Sequence, residues 1–214
     1  SRTDFLDILR YATARHIHVI PEIETPGHAR AAIKSMDARY AKYIAQGDTA
    51  AAEQYLLRDL DDESEYRSVQ HFDDNVMNVA LPSTYAFLEK VTDELIKMYQ
   101  EAEAPLQTIH FGGDEVPAGV WEKSPAALEL VANSDVPNID ELWHYYFSRI
   151  NDLLESRGLY LSGWEEIGMK KALVNGRKRM VVEPRFANEN FHVDVWNNLG
   201  ANTDLAYRLA NAGY

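Results

Sequence analysis

The chain contains no cysteine, so disulfides, thiolate zinc sites, iron–sulfur clusters and cysteine nucleophiles are excluded. It also lacks any apolar run near the roughly 18–20 residues that a membrane-spanning helix needs. Its first residues do not have the pattern of a signal peptide. None of these absences selects a compartment, because a chain without cysteine is compatible with any of them.

Positive charge is scarce as well: there are 21 basic and 34 acidic residues, and the formal net charge is −13. A protein that binds nucleic acid needs a basic face to replace the counterions on phosphate, and no cluster of lysine or arginine supplies one. We therefore expect no nucleic-acid partner, and a neutral rather than a phosphorylated substrate. Neither a G-x-G-x-x-G motif nor a Walker loop is present, so no nucleotide cofactor is expected.

The sequence does contain an alternation of helical and strand patterns within 214 residues. Apolar spacing predicts helices over residues 3–14, capped by Thr3, and over 28–46, 83–102, 139–156 and 203–212. Short apolar runs predict strands over residues 16–20, which Pro21 would stop, and over 107–111, 159–164 and 193–196. Residues 47–80 are acidic and show no clear period, which predicts a long insertion, part helix and part loop.

The repeated order of helix and strand predicts an α/β fold whose parallel strands are joined by helical crossovers. Doubly wound sheets and (β/α)₈ barrels both have this order. A complete barrel typically needs about 250 residues, and only four strands are recognisable here. The chain is therefore either a small open sheet or part of a barrel.

Polar and aromatic residues follow each of the four predicted strands. The carboxyl ends of parallel strands meet at one edge of a sheet, and α/β folds build their sites there. The segments concerned are residues 21–28, 110–116, 163–167 and 196–198. Because all four ends carry such residues, we expect them to contribute to one site.

Asp114 and Glu115 are the most informative pair of residues. On a regular strand, two adjacent carboxylates would point to opposite faces. The preceding Gly112 and Gly113 allow the backbone to leave strand geometry, so both acids could enter one cavity and act as a general acid and an ionised partner. The alternative is a turn followed by a helix N-cap, in which the acids complement the helix dipole.

A histidine and two tryptophans accompany these acids. His28 could hydrogen-bond a catalytic carboxylate, although a histidine at a helix start more often bonds to the backbone. Trp164 and Trp196 lie at strand ends, where flat indoles would complement the apolar faces of a sugar ring. The alternative for both tryptophans is a place in the core.

Metal chemistry is a competing interpretation. Two histidines and a carboxylate could hold a divalent ion, and candidates near the strands are His16, His18, His28, His110, Glu22 and Glu24. However, the His-Glu-x-x-His motif is absent, and the acidic run 59–65 lacks the spacing of a calcium loop. We therefore expect no metal.

Three runs of sequence closely resemble the family 20 glycoside hydrolases, the β-N-acetylhexosaminidases. They are Val19–His28, Ile109–Val116, which contains His-x-Gly-Gly-Asp-Glu, and Gly163–Glu166. The resemblance runs through the chain and is weakest across 47–80 and 170–190. It implies a (β/α)₈ TIM-barrel-type catalytic domain. Residues 1–214 would form half of this barrel, strands 3 to 6, with a long insertion at about 47–80.

The resemblance also implies a reaction, namely removal of terminal β-linked GlcNAc or GalNAc from glycans with retention of configuration and without a cofactor. Catalysis in this family is substrate-assisted, because the acetamido oxygen of the substrate is the nucleophile. Carried over to this sequence, Asp114 orients the acetamido group and Glu115 is the general acid/base. His28 hydrogen-bonds that acid. Further substrate contacts would come from Trp164, Trp196, Glu24 and His110.

Some functional residues of the family have no counterpart here. An arginine that binds sugar hydroxyls and an aspartate that completes the relay would lie before Ser1, and a tyrosine facing the acetamide would lie beyond Tyr214. A half barrel leaves strand edges unpaired, so we expect self-association and little activity from this chain alone. A carbohydrate-binding remnant without catalysis is the alternative. Members of the family are extracellular, periplasmic or lysosomal, and no signal in this chain selects one of these.

Overall fold

The structure is a computed structural model that describes residues 1–187 and 189–214, without the side chains of residues 177 and 178. Its helices are α1 (Arg2–Thr13), α2 (Arg30–Ala45), α3 (Thr49–Glu53), α4 (Pro82–Glu101), α5 (Pro125–Asn133), α6 (Leu142–Glu155) and α7 (Leu205–Ala212). Its strands are β1 (Glu22–Thr25), β2 (Thr108–Gly112), β3 (Tyr160–Trp164), β4 (Met169–Val174), β5 (Arg177–Val182) and β6 (Phe191–Asp194). In the described ranges, no helix is both long and apolar enough to cross a membrane.

The main sheet has the order β1-β2-β3-β6, and all of its neighbouring strands are parallel. The expected α/β architecture with a parallel sheet is therefore confirmed. Helices connect β1 to β2 and β2 to β3, as predicted, whereas a short 3₁₀ helix and the β4–β5 hairpin connect β3 to β6. One row of the sheet pairs Glu22 with His110, His110 with Ser162, and Ser162 with His192. Because the strands run in one direction, the segments that follow them meet at a single edge of the sheet.

The two faces of the sheet differ in character, since alternate residues of a strand point to opposite sides. On one face Ile109, Phe111 and Leu161 are buried in the main core, together with apolar residues of α4 and α6. On the other face Thr108 Oγ1 lies 2.9 Å from Ser162 Oγ, and His110 lies beside them in the row. The helices thus pack on the apolar face, and the polar face is available for chemistry.

The first strand lies later in the chain than the sequence pattern predicts. β1 is Glu22–Thr25, and residues 16–20 are not a strand. The carbonyl of Pro21 accepts the backbone N–H of His110, so the proline stands at the start of the pairing with β2. Ile17 and Ile20 are each 55% exposed, which explains why their apolar pattern was misleading. β6 is shifted in the opposite direction, because it begins at Phe191, two residues earlier than predicted.

Other differences have identifiable local causes. A capping box at Ser1, not Thr3, begins α1. The β4–β5 hairpin was not predicted, although Asn175 and Gly176 form its turn with φ of 51° and 72°, a strong hairpin signal. Helix α5 was also missed, although Ser124 caps it and Pro125 occupies its first turn.

Residues 47–80, the segment for which an insertion was predicted, contain α3 and are otherwise loop. It is anchored, because Met77 is buried in the main core and its carbonyl accepts the indole N–H of Trp121. Asn78 Nδ2 also donates to Ser124 Oγ at 2.8 Å. These contacts fix the insertion against the loop that follows β2, next to the carboxyl edge of the sheet.

Candidate active site

The turn after β2 has the geometry that the glycine pair suggested. Gly112 and Gly113 adopt φ of 66° and 94°, which side chains rarely tolerate. A β-carbon on Gly113 would collide with Ile167 and lie 3.0 Å from Phe147 Cζ. Both the backbone conformation and the close packing therefore require glycine at residue 113.

This turn brings Asp114 and Glu115 to the same histidine. His28 Nε2 lies 3.1 Å from Asp114 Oδ2 and 3.5 Å from Glu115 Oε2, and all three side chains are largely buried. His28 and Glu115 have φ of 51° and 52°, so their own backbone is strained. Such strain clusters at functional sites. The N-cap alternative is wrong, because the next helix begins only at Pro125, with Ser124 as its cap.

His28 is nearer to Asp114 than to Glu115, whereas the resemblance implied a bond to the acid, Glu115. Nε2 is buried and makes no hydrogen bond within the part of the chain that the structure describes. Glu115 Oε2 instead accepts a hydrogen bond from Gln70 Nε2 at 3.1 Å. Gln70 belongs to the insertion, so this segment reaches the acid directly. No feature of the sequence around Gln70 indicated that contact.

Glu24 lies beneath the same turn, against Gly112, where a β-carbon would collide with its carboxyl group. Burial, and then hydrogen bonds with Glu22 and Asp114, raise the pKa of Glu24 to about 9. At neutral pH its carboxyl is therefore protonated and can donate a hydrogen bond to the Asp114 carboxylate. Glu24 thus lies in contact with Asp114 from below the turn, a role that the sequence did not suggest.

His110 supports the site from within the sheet. Its Nδ1 accepts the backbone N–H of Gly112 at 3.2 Å, and its ring lies edge-on to Trp164 with centroids 4.7 Å apart. Burial lowers the pKa of His110, so its imidazole is neutral near pH 7. His110 thus holds both the glycine turn and one of the two tryptophans.

The carboxyl ends of β3 and β6 are joined by two acids to which the sequence interpretation gave no individual role. Glu165 is only 3% exposed, and it accepts the backbone N–H groups of Trp196 at 2.9 Å and Asn197 at 3.2 Å. The indole Nε1 of Trp196 donates to Glu166 Oε2 at 3.3 Å. Trp196 itself is 46% exposed, so it is not a core residue.

Glu166 and Glu115 both line a cavity of about 610 Å³ between the loop after β2 and the β4–β5 hairpin. Burial, with a contribution from the charge of Glu165, raises the pKa of Glu166 to about 7, although the Trp196 hydrogen bond opposes the shift. The cavity therefore combines a buried carboxyl group of high proton affinity with the predicted general acid.

A divalent ion could be held by His28, Asp114 and Glu115, because one ligand atom from each lies within 4.8 Å of the others. The sequence-based metal candidates were a different set. Within the described residues they do not form a cluster of three ligands, and His16 and His18 are exposed residues ahead of β1. The same three-residue arrangement also suits proton transfer.

Comparison with known proteins agrees with this geometry. The family model described as "Glycosyl hydrolase family 20, catalytic domain" matches residues 1–214. The chain belongs to glycosyl hydrolase family 20. The family predicted from the three sequence runs is thereby confirmed, and with it the assignment to a class of hydrolytic enzymes.

Several relatives within family 20 are substantially similar. A beta-hexosaminidase of Vibrio vulnificus is 42% identical over 175 residues, which cover 81% of the chain and 20% of that protein. Beta-hexosaminidase B of Pseudoalteromonas piscicida is 39% identical, with 90% and 26% covered. The crystal structure of an exo beta-N-acetylglucosaminidase from Vibrio harveyi in complex with N-acetylglucosamine matches with a TM-score of 0.74 at 31% identity. The match covers 100% of the present chain and 27% of the Vibrio harveyi chain.

The chain thus spans about a quarter of the length of these relatives. The solved family 20 structures have TIM-barrel catalytic domains, and the four parallel strands described above correspond to part of such a barrel. This confirms the predicted fold class and the interpretation as a partial barrel.

Proposed function

We propose that the polypeptide containing this chain hydrolyses terminal β-linked N-acetylhexosamine, GlcNAc or GalNAc, from glycans with retention of configuration. The observation that supports it most is the approach of Asp114 and Glu115 to one histidine nitrogen, 3.1 and 3.5 Å away. Two neighbouring carboxylates suffice for such a reaction when the nucleophile belongs to the substrate. The relatives, named beta-hexosaminidases and N,N'-diacetylchitobiase, catalyse reactions of this class according to their names.

In this mechanism Glu115 transfers its proton to the glycosidic oxygen while the acetamido oxygen attacks the anomeric carbon. The bond to the leaving group breaks, and an oxazolinium intermediate forms. Asp114 accepts a hydrogen bond from the acetamido N–H and stabilises the positive charge that develops there. A water molecule then gives a proton to Glu115 and attacks the anomeric carbon of the intermediate. It attacks from the face that the leaving group occupied, which restores the β configuration.

The remaining site residues position these two acids and the sugar. Protonated Glu24 donates a hydrogen bond to Asp114 and so fixes the orientation of its side chain. Trp164 and Trp196 present indoles to the sugar. His110 packs against the Trp164 ring, Glu165 accepts the backbone N–H of Trp196, and Glu166 accepts its indole N–H. Residues 1–214 act in this proposal as one partial catalytic domain, whose insertion contributes Gln70 beside the acid.

A direct test uses the full-length polypeptide and a chromogenic β-GlcNAc glycoside. We expect release of the chromophore, and we expect NMR of the first product to show the β anomer. Release of the α anomer would exclude the substrate-assisted mechanism. Absence of hydrolysis with GlcNAc and GalNAc glycosides alike would exclude the function.

A carbohydrate-binding role without catalysis is the second candidate. It is favoured by the exposed side chain of Trp196, which is available to contact a sugar. Calorimetry with an oxazoline-type inhibitor distinguishes the two, since an enzyme binds a mimic of the intermediate more tightly than it binds GlcNAc. Equal affinities for the inhibitor and for GlcNAc would favour the binding role.

Self-association of this chain is a further proposal. In the described main sheet, β1 and β6 are the outer strands and each pairs on one side only. Free strand edges are templates for pairing with another chain. We expect light scattering to give a mass above that of one chain, and a monodisperse monomer would contradict this expectation.

A further inference from the structure

Positive charge in this chain is concentrated in the β4–β5 hairpin. Residues 169–182 hold five of the 21 basic residues of the chain and none of its 34 acidic residues. The five are Lys170, Lys171, Arg177, Lys178 and Arg179. The hairpin is therefore a basic cluster that the sequence interpretation overlooked, and its charge is opposite in sign to the net charge of −13.

The exposed fraction of the side chains rises from the base of the hairpin to its tip. Met169, where β4 begins, is 4% exposed and packs against α7. Leu173 is 74% exposed and lies next to the turn at Asn175 and Gly176. Six pairs of residues form the hairpin, so at roughly 3.4 Å per residue the tip lies about 17 Å from the base. The tip is thus the part of the hairpin that can contact a partner.

Two of the cations near the tip are available for such a contact. Lys170, close to the base, lies 3.3 Å from Glu183. Lys171 and Arg179 are exposed, and no ion pair in the described part of the chain involves either of them. Their charges are therefore open to an anionic partner.

The tip combines these cations with exposed aliphatic side chains. Lys171 pairs with Met180, which is 39% exposed, and Leu173 follows two residues later, so these three share one face of the hairpin. Arg179 pairs with Ala172 and lies on the opposite face. Positive charge is thus present on both faces, beside an exposed leucine.

This composition favours a lipid surface over other anionic partners. Anionic lipids attract lysine and arginine near the surface, which raises affinity roughly fivefold per cation. Binding strengthens further with the apolar area that enters the interface, and Leu173 and Val174 supply this area at the tip. Residues 169–182 contain no aromatic side chain on which the bases of a nucleic acid or the rings of an acidic polysaccharide could stack.

We propose that the β4–β5 hairpin docks the protein on an anionic membrane surface. Lys171 and Arg179 pair with lipid headgroups, and Leu173 enters the boundary between the headgroups and the acyl chains. The hairpin lies where the resemblance to family 20 is weakest, and the proposal does not depend on the proposed hydrolytic function. Because the base of the hairpin lines the cavity beside Glu115, docking brings that cavity close to the lipid.

The test measures sedimentation of the full-length polypeptide with two kinds of vesicle, phosphatidylcholine alone and phosphatidylcholine mixed with phosphatidylglycerol. We expect roughly 25-fold tighter binding to the anionic vesicles, from two cations at about fivefold each. Binding should be lost in about 1 M salt, where charges are screened within about 3 Å. Equal binding to both kinds of vesicle, or no binding to the anionic ones, would overturn the proposal.

A pair of double variants identifies the hairpin as the source of the binding. Lys171→Gln/Arg179→Gln removes two exposed cations and should weaken binding to anionic vesicles roughly 25-fold. The matched control, Lys90→Gln/Lys97→Gln, removes two exposed lysines from α4 and should leave binding unchanged. Equal losses in the two double variants would assign the binding to overall charge and contradict the proposal.

Variants of Leu173 distinguish a lipid surface from a soluble polyanion. Leu173→Ser should weaken vesicle binding roughly tenfold, because less apolar area leaves water. With anionic vesicles, Leu173→Trp should shift the fluorescence emission to shorter wavelength, and heparin or DNA should cause no such shift. If heparin or DNA binds as tightly as the vesicles and Leu173→Ser has no effect, the hairpin is a site for soluble polyanions and the proposal fails.

Discussion

The two sides of the site hold their carboxyl groups in different ways. After β2, Asp114 and Glu115 are positioned by the backbone, through two glycines at positive φ and a strained residue that follows them. After β3, Glu165 and Glu166 are positioned by hydrogen bonds to Trp196 and Asn197, which follow β6. The first arrangement is encoded in a few consecutive residues, and the second depends on residues about 30 positions apart.

This difference determines which substitutions should have the largest effects on catalysis and folding. Substitutions in the β2 turn should abolish chemistry or fold, since no other contact can restore the geometry. Substitutions in the β3–β6 contacts should release one tryptophan and weaken sugar binding.

Replacing Glu115 in the full-length polypeptide should have the largest effect. Glu115→Gln keeps the shape of the side chain but cannot donate the proton, so we expect kcat/KM for a β-GlcNAc glycoside to fall roughly 10²- to 10⁴-fold. Glu129→Gln, at an exposed site on α5, is the matched control and should keep the full rate. Wild-type kcat/KM in Glu115→Gln would contradict the assignment.

Asp114→Asn should change specificity as well as rate. We expect the variant to lose its preference for N-acetylated over non-acetylated glycosides, because the acetamide is no longer oriented by a carboxylate. The measurement is the ratio of kcat/KM for the two substrates. An unchanged ratio would assign the acetamide contact to another residue.

The glycine turn can be tested by stability. Gly113→Ala forces a side chain into Ile167 at a φ of 94°, so the free energy of unfolding should fall by about 3 kcal/mol or more. Gly47→Ala is the control, because Gly47 also has positive φ but no atom within 4 Å of an added β-carbon. Gly47→Ala should lower the free energy of unfolding by about 1 kcal/mol. Equal losses in urea unfolding would show that the close packing at Gly113 is unimportant.

On the other side of the site, Glu165→Ala should raise KM more than it lowers kcat. The carboxylate accepts two backbone hydrogen bonds, and charged hydrogen bonds contribute about 1.5–3 kcal/mol each. We expect KM to rise roughly tenfold or more, together with a shift in the fluorescence of Trp196. A fall in kcat with unchanged KM would place Glu165 in the chemistry instead.

Glu24 predicts a pH dependence of stability. Its pKa is raised from 4.5 to about 9, so the folded state binds more protons than the unfolded state between these values. Its contribution to stability therefore decreases as the pH rises through this window. Glu24→Gln cannot ionise, so the variant should gain stability relative to the wild type between pH 5 and pH 9. Parallel stability curves would show that Glu24 ionises normally.

Chelation should have the smallest effect. His28, Asp114 and Glu115 could hold an ion, yet the proposed mechanism uses them for proton transfer and orientation. We expect EDTA to leave the hydrolysis rate unchanged. Loss of activity that added Zn²⁺ or Mg²⁺ restores would replace this mechanism with a metal-dependent one.

Much of the fold and part of the site follow from local sequence. The parallel strands and the glycine turn depend on patterns within short segments. The parallel order of β1 and β2 then brings the distant His28 to Asp114 and Glu115 at one edge of the sheet. The predicted position of β1 was wrong because Ile17 and Ile20 have the apolar pattern of a buried strand although both are exposed. The β4–β5 hairpin had a recognisable Asn-Gly turn that was overlooked.

Other features could not be predicted, because they join distant segments through side chains. Gln70 reaches Glu115 across 45 positions of sequence, and nothing near Gln70 marks it. The raised pKa of Glu24 depends on burial and on the carboxyl groups around it, which only the folded chain brings together. The cavity next to Glu166 likewise requires the hairpin to be in place.

The crystal structure of the full-length polypeptide with a thiazoline mimic of the cyclised intermediate tests the central claim most directly. The account predicts that an oxygen of Asp114 lies within hydrogen-bond distance of the ring nitrogen and that Glu115 faces the departed leaving group. A ring nitrogen bound by any other residue, or carboxyl groups of Asp114 and Glu115 directed away from each other, would contradict it.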